Sequence, residues 1–195
     1  MLKKPTMSAA AAALIATSFC GEALAGPCPG QMFAAKNETA PPTSVKAADI
    51  AAFVAAAPWA EGVRVTAEKR GTEFWLDVTE FPGNTTAAAA PRTAWLVGRI
   101  MDTDAATVVF ADADEALFQI AAPVLKDIGC RFVVGEQAGE NPIALMREFY
   151  DAVTRHDSGQ RIAGRFTGSL LGDTTTAMTA NNEVFVPEWI LSAVK

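Results

Sequence analysis

The middle of the chain alternates short apolar segments with acidic turns, and this pattern limits the fold more than any other feature. Parallel neighbours need connections of a dozen or more residues, so the short connections here favour an antiparallel sheet. Four segments predict strands: Ala94–Ile100, Thr107–Ala111, Glu115–Ala121 and Arg131–Val134.

Two segments have the 3.6-residue apolar period of an amphipathic helix. The first prediction covers Val45–Ala57, with Ser44 as its N-cap. The second helix begins with Asn141 as N-cap and Pro142 at the first helical position, where the missing N–H has no cost. Its apolar residues continue at helical spacing to Val153.

Further strands are predicted on both sides of this central region. Val65 and Phe74 lie in alternating segments that predict a hairpin with its turn at residues 68–71. Near the end of the chain, Arg161–Leu171 and Val184–Val186 also have strand character.

The order of helix, strands, helix and strands predicts an α+β domain with a mainly antiparallel sheet and two principal helices. A small OB-like barrel is the alternative. Gly98 and Gly164 lie within apolar segments, where a tightly coiled barrel strand would need to bend. With 195 residues, the chain is long enough for one sizeable core.

The first 25 residues have the three parts of a secretory signal peptide. Lys3 and Lys4 precede the uncharged segment Ala9–Phe19, and Ala23 and Ala25 form a small-residue cleavage site. We therefore expect cleavage near Ala25 and a periplasmic or secreted protein. Because a spanning helix needs about 20 apolar residues, no permanent membrane span is expected.

This interpretation divides the chain into three parts. Residues 1–25 are the signal peptide, residues 26–44 an irregular arm rich in proline and glycine, and residues 45–195 a single α+β domain. Cys20 offers an alternative, since a lipid-modified cysteine would also follow an apolar segment. The bulky Phe19 immediately before Cys20 disfavours that alternative.

The cysteine count points to the same compartment. The chain has three cysteines, and removal of the signal peptide takes away Cys20 and leaves Cys28 and Cys130. Two cysteines in an exported chain predict one disulfide, which would stabilise the fold by roughly 4–5 kcal/mol in the chain-entropy model. Two free thiols are the alternative.

Few residues offer catalytic or metal chemistry. His156 is the single histidine, so a zinc site of three or four ligands is not predicted. Asp157 and Ser158 adjoin it, but catalytic triads are assembled from residues distant in sequence. We therefore assign no catalytic residue, no metal and no cofactor.

The acidic residues of the central turns form one further candidate site. Carboxylates at alternating positions could supply the acid and base of a glycoside-cleaving enzyme. Aspartate is also an ordinary turn residue, and the spacing does not match a calcium-binding EF-hand loop. The candidate cluster consists of Asp102, Asp104, Asp112, Asp114 and Glu115.

The formal net charge of −6 argues against a nucleic-acid-binding protein. With no catalytic set, the sequence predicts an exported, non-enzymatic module that binds an unknown protein or small ligand. Two alternatives remain. One is a carboxylate-dependent hydrolase built on the acidic cluster, and the other is an envelope assembly factor that acts through the N-terminal arm.

Overall fold

A computed structural model describes residues 44–57, 60–138 and 143–194, with only the backbone described for 133–138. The predicted signal peptide and nearly all of the predicted arm lie outside these residues. Within them the chain forms an α+β fold with a mixed five-stranded sheet and several helices.

The elements follow one another in short succession. The strands are β1 (Val45–Lys46), β2 (Arg64–Arg70), β3 (Glu73–Glu80), β4 (Met101–Asp102), β5 (Thr107–Asp112), β6 (Glu115–Ala121) and β7 (Thr154–Arg155). The α-helices are α1 (Ala47–Ala56), α2 (Ala89–Ile100), α3 (Ala122–Ala138), α4 (Ile143–Ala152), α5 (Leu170–Thr179) and α6 (Val186–Ile190). A π-helical segment, Ala180–Phe185, joins α5 to α6, and a short 3-10 helix, Leu191–Ala193, follows α6.

The sheet has the order β2-β3-β5-β6-β7. Its pairs are antiparallel except β3 and β5, which are parallel because α2 lies between them in the chain. Strands β1 and β4 form a separate parallel pair. The five-stranded sheet is open, with β2 and β7 at its edges, so the barrel alternative is not confirmed.

The helices pack on one face of this sheet. Phe110 of β5 lies on that face, and its ring centroid is 4.9 Å from that of Trp189, 5.2 Å from Phe185 and 6.0 Å from Phe149. Residues of all the α-helices contribute to the same core. We call this the core face. The opposite face, which carries Glu73, Trp75 and Asp77 of β3, is the outer face.

The predicted hairpin is confirmed, but its turn is at Gly71 and Thr72 rather than at residues 68–71, because β2 continues to Arg70. Gly71 has φ of +62°, a conformation that glycine adopts without strain. The predicted strands Thr107–Ala111 and Glu115–Ala121 are also confirmed, as β5 and β6.

The predicted strand Ala94–Ile100 is wrong, because this segment belongs to helix α2. Every residue of α2 except Arg92 is buried. Arg92 and Arg99 are seven residues apart and lie on one side of the helix, so the sequence does contain a helical signal that the strand prediction overlooked. Pro91 did not signal a helix end, because it lies in the first helical turn, where proline is tolerated.

Gly98 was predicted to allow the bend of a barrel strand, but it allows close packing of two helices instead. Gly98 of α2 lies against Leu125 of α3, where an added Cβ would come within 2.5 Å of the leucine Cγ. Gly129 of α3 lies equally close to the backbone of α2. Small residues therefore allow the two helices to cross at short distance.

Three other predicted strands are also wrong. Arg131–Val134 lies within α3, and Val184–Val186 spans the π-helical segment and the start of α6. In Arg161–Leu171, only Arg161 forms a strand-like bridge, to Thr154, and the end of the segment begins α5. Apolar runs of a few residues do not distinguish a strand from a buried helix, which explains these errors.

Both predicted helices occur, but the described residues form six α-helices rather than two principal ones. Helix α1 begins two residues later than expected, with Lys46 rather than Ser44 at its N-cap. Helix α4 is described from Ile143, so the predicted cap at Asn141 and Pro142 lies outside the described residues.

Candidate binding surfaces

The predicted acidic cluster is divided between the two ends of one strand. Asp102 and Asp104 precede β5, whereas Asp112 ends β5, Asp114 lies in the turn and Glu115 begins β6. A strand of this length spans roughly 17 Å. The two carboxyl groups of a glycosidase lie roughly 5–10 Å apart. A carboxylate before β5 and one at its far end are therefore too far apart to form such a pair.

Several of these carboxylates already bind side chains of the same protein. Asp104 forms an ion pair with Lys69, which lowers the pKa of the aspartate. Asp114 accepts a hydrogen bond from Arg70 Nη2 at 3.1 Å, and Asp112 accepts one from Ser192 Oγ at 2.8 Å. These contacts are typical of structural turn residues. Among the residues that the structure describes, no group of three His, Cys, Asp or Glu side chains forms a metal site.

Asp77 is an acidic residue that the sequence interpretation missed. It lies on β3 level with Ala111, close to the β5–β6 turn. Burial raises the pKa of its carboxyl, the backbone N–H of Ala113 lowers it, and the charges of Asp112 and Asp114 raise it further. Ala113 has φ of +54°, so the turn that brings this N–H to Asp77 is left-handed. The signal available in the sequence was the position of Asp77 between apolar residues of an alternating strand.

The outer face carries a connected group of polar and aromatic side chains. The guanidinium of Arg70 lies 4.0 Å from the centroid of the Trp75 ring. Trp75 Nε1 donates a hydrogen bond to Glu73 Oε2 at 2.8 Å, and Glu73 Oε1 lies 3.3 Å from His156 Nε2. The Trp75 and His156 rings meet edge to face at 6.3 Å. We call these four residues the outer-face group.

The outer-face group holds Glu73 in its ionised form. The hydrogen bond from Trp75 is the first cause that lowers the pKa of Glu73, followed by that from His156. A glutamate and a histidine in contact could transfer protons. Among the described hydrogen bonds, no serine, threonine or cysteine joins this pair. His156 therefore contacts Glu73, not its neighbours Asp157 and Ser158.

The predicted disulfide is only half within the described structure. Cys130 lies in α3 and packs against the core. Cys28 lies outside the described residues. The Cys28–Cys130 bridge therefore stays a prediction.

Helix α5 presents large apolar side chains to solvent. Leu170 is 74% exposed, Leu171 81% and Met178 51%. Leu171 and Met178 are seven residues apart, so they lie on one side of the helix, two turns from each other. Between them, Thr174 and Thr175 direct their hydroxyls to the carbonyl oxygens of residues 170 and 171. We call Leu170, Leu171 and Met178 the α5 patch.

A buried carboxylate fixes the start of α5. Asp173 accepts hydrogen bonds from the backbone N–H groups of Thr167 and Gly168, at 2.7 and 2.9 Å, and from Thr167 Oγ1 at 3.2 Å. Arg147 of α4 forms an ion pair with it at 3.2 Å. The N–H group of Thr167 is the first cause that lowers the pKa of Asp173. The leucines therefore lie on a well-anchored helix end.

The other end of α5 continues into the π-helical segment. There Asn181 is buried and accepts a hydrogen bond from the Tyr150 hydroxyl at 2.6 Å. Phe185, at the end of this segment, packs edge to face on Phe149 and Phe110. The π-helical turn, which is wider than an α-helical turn, therefore places the Asn181 side chain and the Phe185 ring in the same core. The hydrogen bond between Asn181 and Tyr150 links α5 to α4.

Comparison with known proteins identifies no relative. No protein-family description, no curated protein and no solved structure matches this chain. Within the described residues, no helix combines the length and the apolar character needed to cross a membrane.

Proposed function

We propose that this protein is an exported, non-enzymatic binding module that captures a protein partner through the α5 patch. The observation that carries the proposal is the distribution of exposed large apolar side chains. In the described part of the chain there are six, and five of them lie between residues 170 and 194: Leu170, Leu171, Met178, Leu191 and Val194.

A concentration of exposed leucine and methionine favours protein contact. Single exposed apolar residues are ordinary on a protein surface, but a group on one element is typical of an interaction site. An amphipathic partner helix, or an apolar groove that receives α5, would bury Leu171 and Met178 together. The anchoring of α5 by Asp173 lowers the ordering cost of such a contact.

Export rests on the N-terminal sequence. Lys3 and Lys4, the apolar segment Ala9–Phe19 and the small residues at 23 and 25 support cleavage near Ala25 and a periplasmic or secreted product. The proposed Cys28–Cys130 disulfide fits an oxidising compartment. Titration of the denatured, unreduced protein should find no free thiol at these two positions. Two free thiols would contradict this part of the proposal.

One observation favours a second candidate, a hydrolase that uses carboxylates. The raised pKa of Asp77, near Asp112 and Asp114, is a property of general acids in glycosidases. We rank this candidate lower, since the neighbouring Asp114 is paired with Arg70. Hydrolysis of aryl glycosides by the native protein, lost in Asp77→Asn, would place the enzyme first.

Site-specific photo-crosslinking tests the binding proposal. A photoreactive phenylalanine derivative replaces Leu171 in one version of the protein and the exposed Asp157 in a control, and cells that produce each version are irradiated. We expect discrete cross-linked products of higher mass at position 171 and not at position 157. The absence of products at 171, or the same products at both positions, would contradict the proposal.

The arm offers a separate test of the assembly-factor alternative. Deletion of residues 26–40 removes Cys28 but no residue of the α5 patch, so the products at position 171 should persist wherever the fold is kept. Loss of these products, with the fold intact by circular dichroism, would instead favour an assembly factor that acts through its arm.

A further inference from the structure

Strand β2 is a long, exposed edge of the sheet. It pairs with β3 along all seven residues, Arg64–Arg70, and ends the strand order on that side. The residues Arg64, Thr66, Glu68, Lys69 and Arg70 are all exposed. Such an edge presents a row of backbone N–H and C=O groups to any strand that pairs with it.

The outer-face side chains of β2 carry a symmetric charge pattern. Thr66 lies level with Asp77 and Glu68 with Trp75, so both project on the outer face. Arg64 pairs with Glu80 across a register irregularity between Arg64 and Val65, but its exposure between the buried Val63 and Val65 places it on the same side of the strand. Arg64 and Glu68 each lie two residues from Thr66, on opposite sides of it. If two copies of the strand run antiparallel about Thr66, each Arg64 faces the Glu68 of the other copy.

We propose that β2 is a homodimer interface, in which two copies pair antiparallel about Thr66 and their sheets join into one ten-stranded sheet. On the outer face, two Arg64–Glu68 pairs flank a central Thr66–Thr66 pair. On the core face, each Val65 lies opposite an Ala67 of the other copy. This interface is separate from the α5 patch, so it does not depend on the proposed function.

The charges favour this register over those centred on the next three residues of the strand. An axis at Val65 would form no Arg64–Glu68 pair and would leave only three residues of each strand overlapping. A two-fold axis centred on Ala67 would place Arg64 opposite Arg70, and one centred on Glu68 would place two glutamates opposite each other. Like charges directly opposite are destabilising. An axis at Lys69 gives Glu68–Arg70 pairs, but it leaves only three residues of each strand overlapping and sets two lysines face to face.

Existing contacts leave Arg64 and Glu68 able to meet across this axis. In the described structure, Arg64 Nη1 donates to the carbonyl oxygens of Gly62 and Val63 and not to a carboxylate. Glu68 accepts from Arg70 Nε at 2.9 Å through Oε2. Its other carboxylate oxygen can accept from Arg64 of the second copy, so the acidic group would lie between two guanidinium groups.

A charge-reversal experiment tests the register. Sedimentation equilibrium of the purified native protein should give the mass of a dimer at about 100 μM. Arg64→Glu and Glu68→Arg should each raise the dimer Kd about tenfold or more, because each replaces two attractive pairs with two repulsive ones. An equimolar mixture of the two variants should dimerise again, since the mixed pair restores both Arg–Glu contacts. Glu115→Arg, an exposed charge reversal on β6, is the matched control and should leave the Kd unchanged.

Each outcome is decisive. A native protein that is monomeric at this concentration would overturn the proposal. A native dimer that survives Arg64→Glu would place the interface or its register elsewhere, and a mixture that stays monomeric would exclude direct Arg64–Glu68 pairing. Thermal melting of each variant in the monomeric range separates loss of pairing from loss of folding.

Discussion

Gly129 of α3 lies directly against Trp95 of α2, and an added Cβ at residue 129 would come within 2.1 Å of the Trp95 carbonyl oxygen. It would also lie 3.0 Å from the Arg99 amide nitrogen. Neither backbone atom can move without displacing a buried helix. We therefore expect Gly129→Ala to lower the free energy of unfolding by about 3 kcal/mol, measured by urea denaturation.

Gly164→Ala is the control for this substitution. A Cβ at residue 164 would meet its nearest described neighbour, Thr176 Cγ2, at an ordinary contact distance of 3.5 Å. We expect a change of about 0.5 kcal/mol or less. Equal effects at the two glycines would contradict the close crossing of α2 and α3.

Asp77→Asn should stabilise the protein at neutral pH. Because the folded-state pKa lies above the ordinary value of 3.8, stability is greatest below that value and falls as the pH rises through the folded-state pKa. Asparagine removes the charge responsible for this loss. We expect a gain on the order of 1 kcal/mol at pH 7, reduced by solvent screening of a partly exposed group. Denaturation at pH 3 and pH 7 measures it.

The same substitution at the exposed Asp102 provides the comparison. Asp102→Asn should leave the difference in stability between pH 3 and pH 7 as it is in the native protein. A loss of stability in Asp77→Asn at pH 7 would mean that the ionised carboxylate is favourable in the fold.

Asp173→Ala should loosen the start of α5. The substitution removes the acceptor for the N–H groups of Thr167 and Gly168 and the partner of Arg147. We expect a lower Tm and faster amide exchange over residues 167–173. In the native protein this support is lost as the pH falls below 3.8 through the lowered folded-state pKa of Asp173. Asp127→Asn, on a surface ion pair, should leave exchange in this segment unchanged.

Trp75→Phe should raise the pKa of Glu73 towards its ordinary value of 4.5. The indole N–H of Trp75 donates to Glu73 and is the first cause of the lowered pKa. Phenylalanine keeps an aromatic ring but has no donor. A carboxyl-carbon NMR titration measures the change, and His156→Phe should give a smaller rise. An unchanged pKa in Trp75→Phe would show that this hydrogen bond does not hold the carboxylate.

The sequence predicted elements whose apolar period was clear. Helices α1 and α4 each have one apolar side, so their type was correct. Strands β5 and β6 were predicted as short apolar segments next to acidic turns, and β5 is buried on both faces from Val108 to Ala111. Helix α2 also has a helical period, with Arg92 and Arg99 seven residues apart on one side, but the short apolar segment between them is equally compatible with a buried strand.

The candidate sites could not be predicted fully from the sequence either, for different physical reasons. Clustering of acidic residues in the sequence did not predict clustering in space, because β5 separates Asp104 from Asp112. Burial is the first cause of the raised pKa of Asp77, and the charges of Asp112 and Asp114, more than thirty residues away, raise it further. The alternating strand marks Asp77 in the sequence, but its burial and the approach of these distant charges depend on the fold. The α5 patch had a local signal, since Ser169 caps the helix that begins with Leu170 and Leu171, but exposure depends on packing.

The most direct test of the central claim is the affinity for the partner recovered by cross-linking at position 171. Calorimetry compares the native protein with Leu170→Ser/Leu171→Ser and with the control Val124→Ser, an exposed apolar residue on α3. We predict that the double substitution raises the Kd at least tenfold while Tm stays near the native value, and that the control has no effect. An unchanged Kd in the double variant would contradict the claim that this protein binds its partner through the α5 patch.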